Sequence, residues 1–347
     1  MIIMKTIFDE VKINKLKVKN RIIRSATWEG MAPEDGSFPE ELFNVYHELA
    51  KGGVGTIITG FTSVADEDQY FNGITRLSND KQIPSNRKVI EMVHGEDVRI
   101  ISQLALGGYY KIFYDGSIDL VEPDRMSTDD IKLVINQFKD AAIRAMQAGF
   151  DGVQIHGAHH FFLSRFISPV YNHRADEYGK DVFGRMKILK DIYLAISEVA
   201  PSLHISMKIN CSDFILGGLT EDESMMICEE MAKLGIDSIE VSGNGTSRGG
   251  IRVGVNEAYF GEFAASLAER VDTPIILVGG HRSIENMEKV LNSTKIEMLS
   301  ISRPLIREPG LINRWKSGDS RPATCVSCNA CYNTPNHKCI FVLRGME

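Results

Sequence analysis

The sequence predicts an α/β fold: a (β/α)8 TIM barrel with an N-terminal hairpin before it and a short Cys-rich tail after it. Three observations predict this. Eight short apolar runs rich in β-branched residues recur between residues 21 and 303. Each is followed by a longer segment of helical periodicity, the alternation that builds a parallel sheet covered by helices. One junction also echoes itself. Ala148-Gly149-Phe150-Asp151-Gly152-Val153-Gln154-Ile155 resembles Leu234-Gly235-Ile236-Asp237-Ser238-Ile239-Glu240-Val241, each a helix end, a Gly cap and a buried parallel strand. Eight such units in a row fit a closed barrel better than the alternative, an open doubly wound sheet.

In chain order, residues 1–20 alternate and turn at Asn14-Lys15, which predicts a hairpin that plugs the barrel floor. Strands are expected at 21–27, 55–60, 99–106, 152–157, 204–210, 238–243, 274–280 and 296–303. Helices are expected at 39–52, 85–96, 127–149, 182–200, 220–235, 256–270, 283–292 and 304–316. Ser127 before Asp130 and Thr220 before Glu223 have capping-box spacing at two helix starts. Residues 1–317 make the barrel, and Ser-Gly-Asp-Ser-Arg-Pro leads into a tail at 318–347.

Composition narrows the function classes. A formal charge of -7 with scattered Lys and Arg argues against nucleic acid. No apolar run approaches the roughly 20 residues of a membrane span, and the apolar start is too short for a signal peptide. The expectation is a cytoplasmic protein acting on a small molecule. Cys211 and Cys228 are isolated and expected to be buried. Cys325, Cys328, Cys331 and Cys339 crowd together, which in a reducing compartment suggests a metal rather than disulfides.

Chemistry in such a barrel collects at the C-terminal strand ends. The seventh and eighth strands end in Gly279-Gly280 and Ser302-Arg303. Two glycines let backbone amides approach a phosphate and Arg303 adds a cation; a tight turn with a surface Arg is the alternative. At the fourth strand end His156 and His159 are three apart, entering an expected short helix that aims both imidazoles at one point. They can polarise a carbonyl oxygen, bind a metal, or be core histidines. Gln103 on the third strand can pair with a flavin pyrimidine edge. Lys208 sits among apolar residues on the fifth strand, where a charge is costly without a purpose. It would neutralise a reduced cofactor or form a Schiff base, as in a phosphate-binding aldolase barrel. The loop from Gly243 to Gly249 is not a dinucleotide fingerprint and is expected to be a mobile active-site loop.

Together these residues resemble the Old Yellow Enzyme or NADH:flavin oxidoreductase family. The clearest stretches are Lys19-Asn20-Arg21-Ile22 into Ser25-Ala26-Thr27, Gly149-Phe150-Asp151 through His156 and His159, Phe166-Ile167-Ser168-Pro169 through Asp176-Glu177-Tyr178-Gly179, and Ser302-Arg303-Pro304-Leu305. The resemblance implies FMN over the barrel mouth. Ser25, Ala26, Thr27 and Gly60 would line one flavin edge and Gln103 the pyrimidine. Lys208 would replace a usual Arg, keeping the charge but losing the planar fork. Gly279, Gly280, Ser302 and Arg303 would hold the phosphate, and His156 and His159 the substrate carbonyl.

Two positions depart from the family pattern. Phe161 stands where a Tyr often donates a proton to the substrate α-carbon, leaving Tyr109, Tyr110 or water for that task. Trp28 fills a position often given to Cys or Thr.

The tail resembles that of the subgroup with 2,4-dienoyl-CoA reductase and trimethylamine dehydrogenase. That resemblance implies a 4Fe–4S cluster on Cys325, Cys328, Cys331 and Cys339, although the last gap is short for the subgroup and four thiolates also suit zinc. The implied activity is NAD(P)H-driven hydride transfer through FMN to an α,β-unsaturated carbonyl. The alternatives are an amine-type dehydrogenase and a flavin/Fe–S electron-transfer subunit, alone as a homo-oligomer or with an electron-transfer partner.

Overall fold

The computed structural model describes residues 4–245 and 247–346, so residues 1–3, Thr246 and Glu347 lie outside the described residues. The chain opens with the antiparallel hairpin β1 (Val11–Ile13) and β2 (Leu16–Val18). Asn14 turns it in a left-handed conformation (φ 47°), which Asn tolerates better than most side chains. Eight strands follow: β3 (Ile22–Arg24), β4 (Thr56–Ile58), β5 (Arg99–Ala105), β6 (Gly152–Gly157), β7 (His204–Asn210), β8 (Ser238–Ser242), β9 (Ile275–Val278) and β10 (Met298–Ile301). Each pairs in parallel with the next, and β10 pairs back onto β3, which closes the ring.

The outer helices are α1 (Glu40–Lys51), α2 (Ile83–Gly95), α3 (Thr128–Ala148), then the short α4 (Phe162–Ile167), α5 (Val182–Val199), α6 (Glu221–Lys233), α7 (Gly261–Arg270) and α8 (Ile284–Ser293). Both expected capping boxes form, at Ser127 with Asp130 and at Thr220 with Glu223. On α3 the buried face is Ile131, Val134, Phe138, Ala141, Ala142 and Ala145, an i, i+3, i+4 stripe that packs on the sheet. The expected helix at 304–316 is two pieces, α9 (Arg303–Arg307) and α10 (Leu311–Lys316), because Pro309-Gly310 interrupts the helical backbone.

The hairpin closes the barrel floor. Ile13, Leu16 and Val18 form a buried cluster with Ile23, Ile58, Ile101, Ile276 and Met298 from the barrel strands. Lys15 Nζ donates to Leu203 O (2.9 Å) and Asp237 Oδ2 (3.0 Å), groups at the N-terminal starts of β7 and β8.

The tail folds back over the opposite end. Ala323 N–H donates to Arg282 O (2.8 Å), and Arg307 Nη1 to Thr324 O (3.0 Å). Asn329 Nδ2 donates to Ser247 O (2.7 Å), and the His337 ring lies 4.6 Å from that of Trp28. Among the described residues no helix is long and apolar enough to cross a membrane.

Candidate active site

A cavity of about 340 Å³ opens at the C-terminal strand ends. Ser25, Ala26, Thr27, Gln103, His156, His159, Lys208, Gly280, Ser302 and Arg303 all line it. Residues from six strands and their following loops thus meet at one place. Gly60 and Gly279 are not in the lining. Gly60 lies beneath Thr27, where a Cβ would come 2.5 Å from the Thr27 carbonyl oxygen, and its N–H donates to the Tyr46 hydroxyl (2.9 Å). Gly279 and Gly280 both have left-handed φ, 140° and 79°. At Gly280 a Cβ would sit 2.8 Å from the Tyr259 ring, so this turn requires glycine.

The floor of the cavity is a buried polar network. Lys208 and Glu240 are register partners on β7 and β8, with Lys208 Nζ 2.9 Å from Glu240 Oε1. Lys208 Nζ also donates to Ser25 Oγ (2.9 Å), and Ser25 Oγ to Glu240 Oε1 (2.9 Å). Gln154 Nε2 donates to Glu240 Oε2 (2.8 Å), and Gln103 Nε2 to Gln154 Oε1 (2.9 Å). Burial by itself would raise the Glu240 carboxyl. The Lys208 ammonium and the hydrogen bonds from Lys208 and Gln154 outweigh burial, and the carboxyl stays below its ordinary range. The sequence reading did not single out Glu240 as functional. Its signal was a carboxylate inside the otherwise small and apolar strand Ser238–Ser242.

The two histidines converge by a different route from the one their spacing predicts. No helix carries them; α4 begins only at Phe162. Instead His159 and His160 are both left-handed (φ 66° and 60°), an uncommon pair for non-glycine residues. The turn is held by His159 N–H to Asn210 Oδ1 (3.1 Å) and His160 N–H to Ser164 Oγ (3.2 Å). It folds His159 back so that its ring is 5.1 Å from that of His156, at 79°. His159 Nε2 shares a hydrogen bond with Ser242 Oγ (2.8 Å). His156 Nδ1 is buried with no partner among the described residues.

Burial depresses both imidazoles. His156 lies well below its ordinary value, with His159 and Lys208 adding to the effect, and His159 is held at about 3, with Lys208 and His160 adding. Both are neutral at physiological pH.

The wall beside them is aromatic. Phe161 packs 5.0 Å from His156, 5.2 Å from Phe61 and 5.5 Å from Phe71, and Phe71 stacks on Trp28 at 4.6 Å. Trp28 Nε1 is a second buried donor with no partner among the described residues. Tyr109 and Tyr110, expected as substitute proton donors, are elsewhere. They line a separate cavity with Asp68 and Lys111, and the Tyr109 hydroxyl donates to Asp130 Oδ1 (2.8 Å). That correction follows from the chain after β5, which carries both side chains outward toward α3.

Arg303 is buried, and its Nη1 donates to Arg248 O (2.8 Å) and to Asn329 Oδ1. Arg282 is a second buried cation in the cavity wall that the sequence reading missed, although it follows Gly279-Gly280 by two residues. Its Nη2 donates to Ser327 Oγ (2.7 Å) and its Nε to Cys325 O (3.1 Å). The expected active-site loop contributes Ser247, whose Oγ hydrogen-bonds the Tyr332 hydroxyl; Thr246 in the same loop lies outside the described residues.

Cys325, Cys328, Cys331 and Cys339 line one small adjoining cavity with Arg303, and Cys331 lines both cavities. Among the described residues no three His, Cys, Asp or Glu side chains are gathered closely enough to hold a metal ion. Cys211 and Cys228 are buried as expected, and burial pushes both thiols up to about 12.

Residues 6–321 match the model of the NADH:flavin oxidoreductase / NADH oxidase family. The class is therefore that of the NADH:flavin oxidoreductases. The chain belongs to this family, the Old Yellow Enzyme family. It is 30% identical over 349 residues to an NADH oxidase of Thermoanaerobacter brockii, covering 93% of this chain and 52% of that protein. It is 28% identical over 322 residues to an NADPH dehydrogenase of Listeria monocytogenes serotype 4b, covering 88% of this chain and 93% of that one. A solved structure of 2-naphthoyl-CoA reductase superposes with a TM-score of 0.85 at 20% identity, over 93% of this chain and 54% of that one. The chain thus spans about half the length of the first and third proteins and nearly all of the second.

Proposed function

We propose that this chain reduces α,β-unsaturated carbonyl compounds with NAD(P)H, using FMN held in the barrel-mouth cavity. One observation carries the proposal: two neutral imidazoles, one with an unpartnered buried nitrogen, meet in a cavity whose floor presents Lys208 and Gln103. The residues fit the cofactor. Gly280, Ser302 and Arg303 suit its phosphate, with Arg282 as a further cation. Gln103 and Lys208 suit the pyrimidine end, and Ser25, Ala26 and Thr27 one edge. FMN bound there supplies hydride transfer between NAD(P)H and substrate.

The chain's own contribution is positional and electrostatic. His156 and His159 donate hydrogen bonds to the carbonyl oxygen and stabilise the negative charge that grows on it. Trp28, Phe61, Phe71 and Phe161 exclude water from the wall beside the histidines. Phe161 holds no transferable proton, so the α-carbon takes its proton from solvent or from another group.

The four tail cysteines suit a 4Fe–4S cluster better than separate roles, since all four face one cavity and thiolates are its usual ligands. The same feature favours a second reading, an oxidase-like or amine-type enzyme that exchanges electrons with that site, because Cys331 borders both cavities.

Replacing His156 and His159 by Ala is expected to abolish phenol binding, seen as a charge-transfer band with oxidised flavin. Phe161→Tyr is expected to raise enone turnover about a hundredfold or more, the lower end of the range for one general acid. Unchanged phenol binding in the double variant contradicts the proposal. Flat turnover in Phe161→Tyr with substrate still bound favours the second reading.

A further inference from the structure

We propose that Glu240 is a positioning residue that fixes which way the Gln103 amide faces, so that the cavity offers the Gln103 Oε1 as an acceptor to an N–H of its ligand. A carboxylate has no proton to give. Gln154 must therefore turn its Nε2 toward Glu240 Oε2 (2.8 Å), which leaves Gln154 Oε1 as the end that meets Gln103. That oxygen accepts from Gln103 Nε2 at 2.9 Å. Two amides that could each rotate by half a turn are thus locked head to tail by an acceptor-only group at one end.

Among the described residues nothing donates to Gln103 Oε1, and Gln103 lines the cavity. The other Glu240 oxygen receives Lys208 Nζ and Ser25 Oγ, each at 2.9 Å. One carboxylate therefore sets an acceptor at one side of the floor and a cation at the other. Glu240 and Gln154 are fully buried, and an amide flipped against its neighbour there is costly because no water replaces the lost bond. The inference rests on the flavin reading, since the acceptor matches the imide N–H of a pyrimidine ring.

The test is binding of FMN and of 3-methyl-FMN, which lacks that N–H, to apoprotein, followed by quenching of flavin fluorescence. Wild-type protein is expected to prefer FMN by roughly tenfold or more, the scale of a buried acceptor left unpaired. Glu240→Gln lets the chain of amides reverse, and the preference is expected to fall to about threefold or less, the gain of a restored hydrogen bond offsetting most of the loss.

Moving the carboxylate two strands over, from β8 to β6, with Gln154→Glu and Glu240→Gln together, again sets an acceptor-only group against Gln103 Nε2. It is expected to restore the preference, which a general loosening of the site would not do. If Glu240→Gln does not fold with the Lys208 ammonium unpaired, Glu240→Gln/Lys208→Met removes both charges and is compared with Lys208→Met alone; the same fall is expected.

An unaltered preference in Glu240→Gln, or in that double variant against its parent, overturns the proposal. So does failure of the carboxylate swap to restore it. Wild-type apoprotein that binds no FMN overturns the flavin reading itself, whereas FMN bound with unaltered preference overturns this inference alone.

Discussion

His159 and His160 accept a left-handed backbone that other side chains adopt rarely, and the return is an imidazole pair 5.1 Å apart in a buried wall. Burial and the nearby Lys208 keep both rings neutral, with His159 at about 3. The sign of the pH effect follows. A histidine whose folded value is depressed contributes stability that is fully present above about 6.5 and is lost as pH falls toward the folded value. Phenol affinity should accordingly show no imidazole titration between pH 5 and 8, measured by the charge-transfer band at a series of pH values. An inflection near 6.5 that His159→Ala removes would show that the pair is charged in the working protein. Phe161 carries the complementary consequence, because a ring packed on Phe61 and Phe71 shapes the wall but cannot donate a proton.

At the scale of elements, most strands deliver polar groups to the mouth, β4 and its loop add only the aromatic Phe61 and Phe71, and the tail completes it from the far side of the sequence. His337 against Trp28, Tyr332 on Ser247 and Asn329 beside Arg303 tie residues 329–337 to the rim. Replacing Cys325 and Cys328 by Ser is expected to abolish metal binding, read as iron and zinc per chain in anaerobically purified protein. Iron near four per chain in the wild type is the 4Fe–4S expectation, and negligible iron and zinc would contradict it.

The strands and helices were legible because their apolar periods differ, 2 or continuous against 3.6. The strand-end residues were legible because a barrel concentrates polar groups there. Three things were not. Arg282 reads as an ordinary loop cation until Ser327 and the Cys325 carbonyl are seen to hold it. Glu240 acts through contacts with residues far away in sequence, Ser25 and Gln154. The return of the tail rests on contacts such as Ala323 to Arg282, which leave no periodic trace.

The molecule as a whole is a barrel sealed at one end and chemically furnished at the other. Ile13, Leu16 and Val18 fill the floor and shut water out of the interior from below. The mouth collects Lys208, Gln103, the two histidines and Arg303 around one cavity. Membership of the NADH:flavin oxidoreductase family and this furnishing both support the proposal that the cavity holds FMN. The most direct test is the visible spectrum of the purified protein, reconstituted with FMN under anaerobic conditions and then titrated with NADPH or NADH. The account predicts a flavin spectrum that bleaches on addition of the nicotinamide and is lost from Arg303→Ala after desalting. A colourless protein that takes up no FMN, or a bound flavin that neither nicotinamide bleaches, would contradict it.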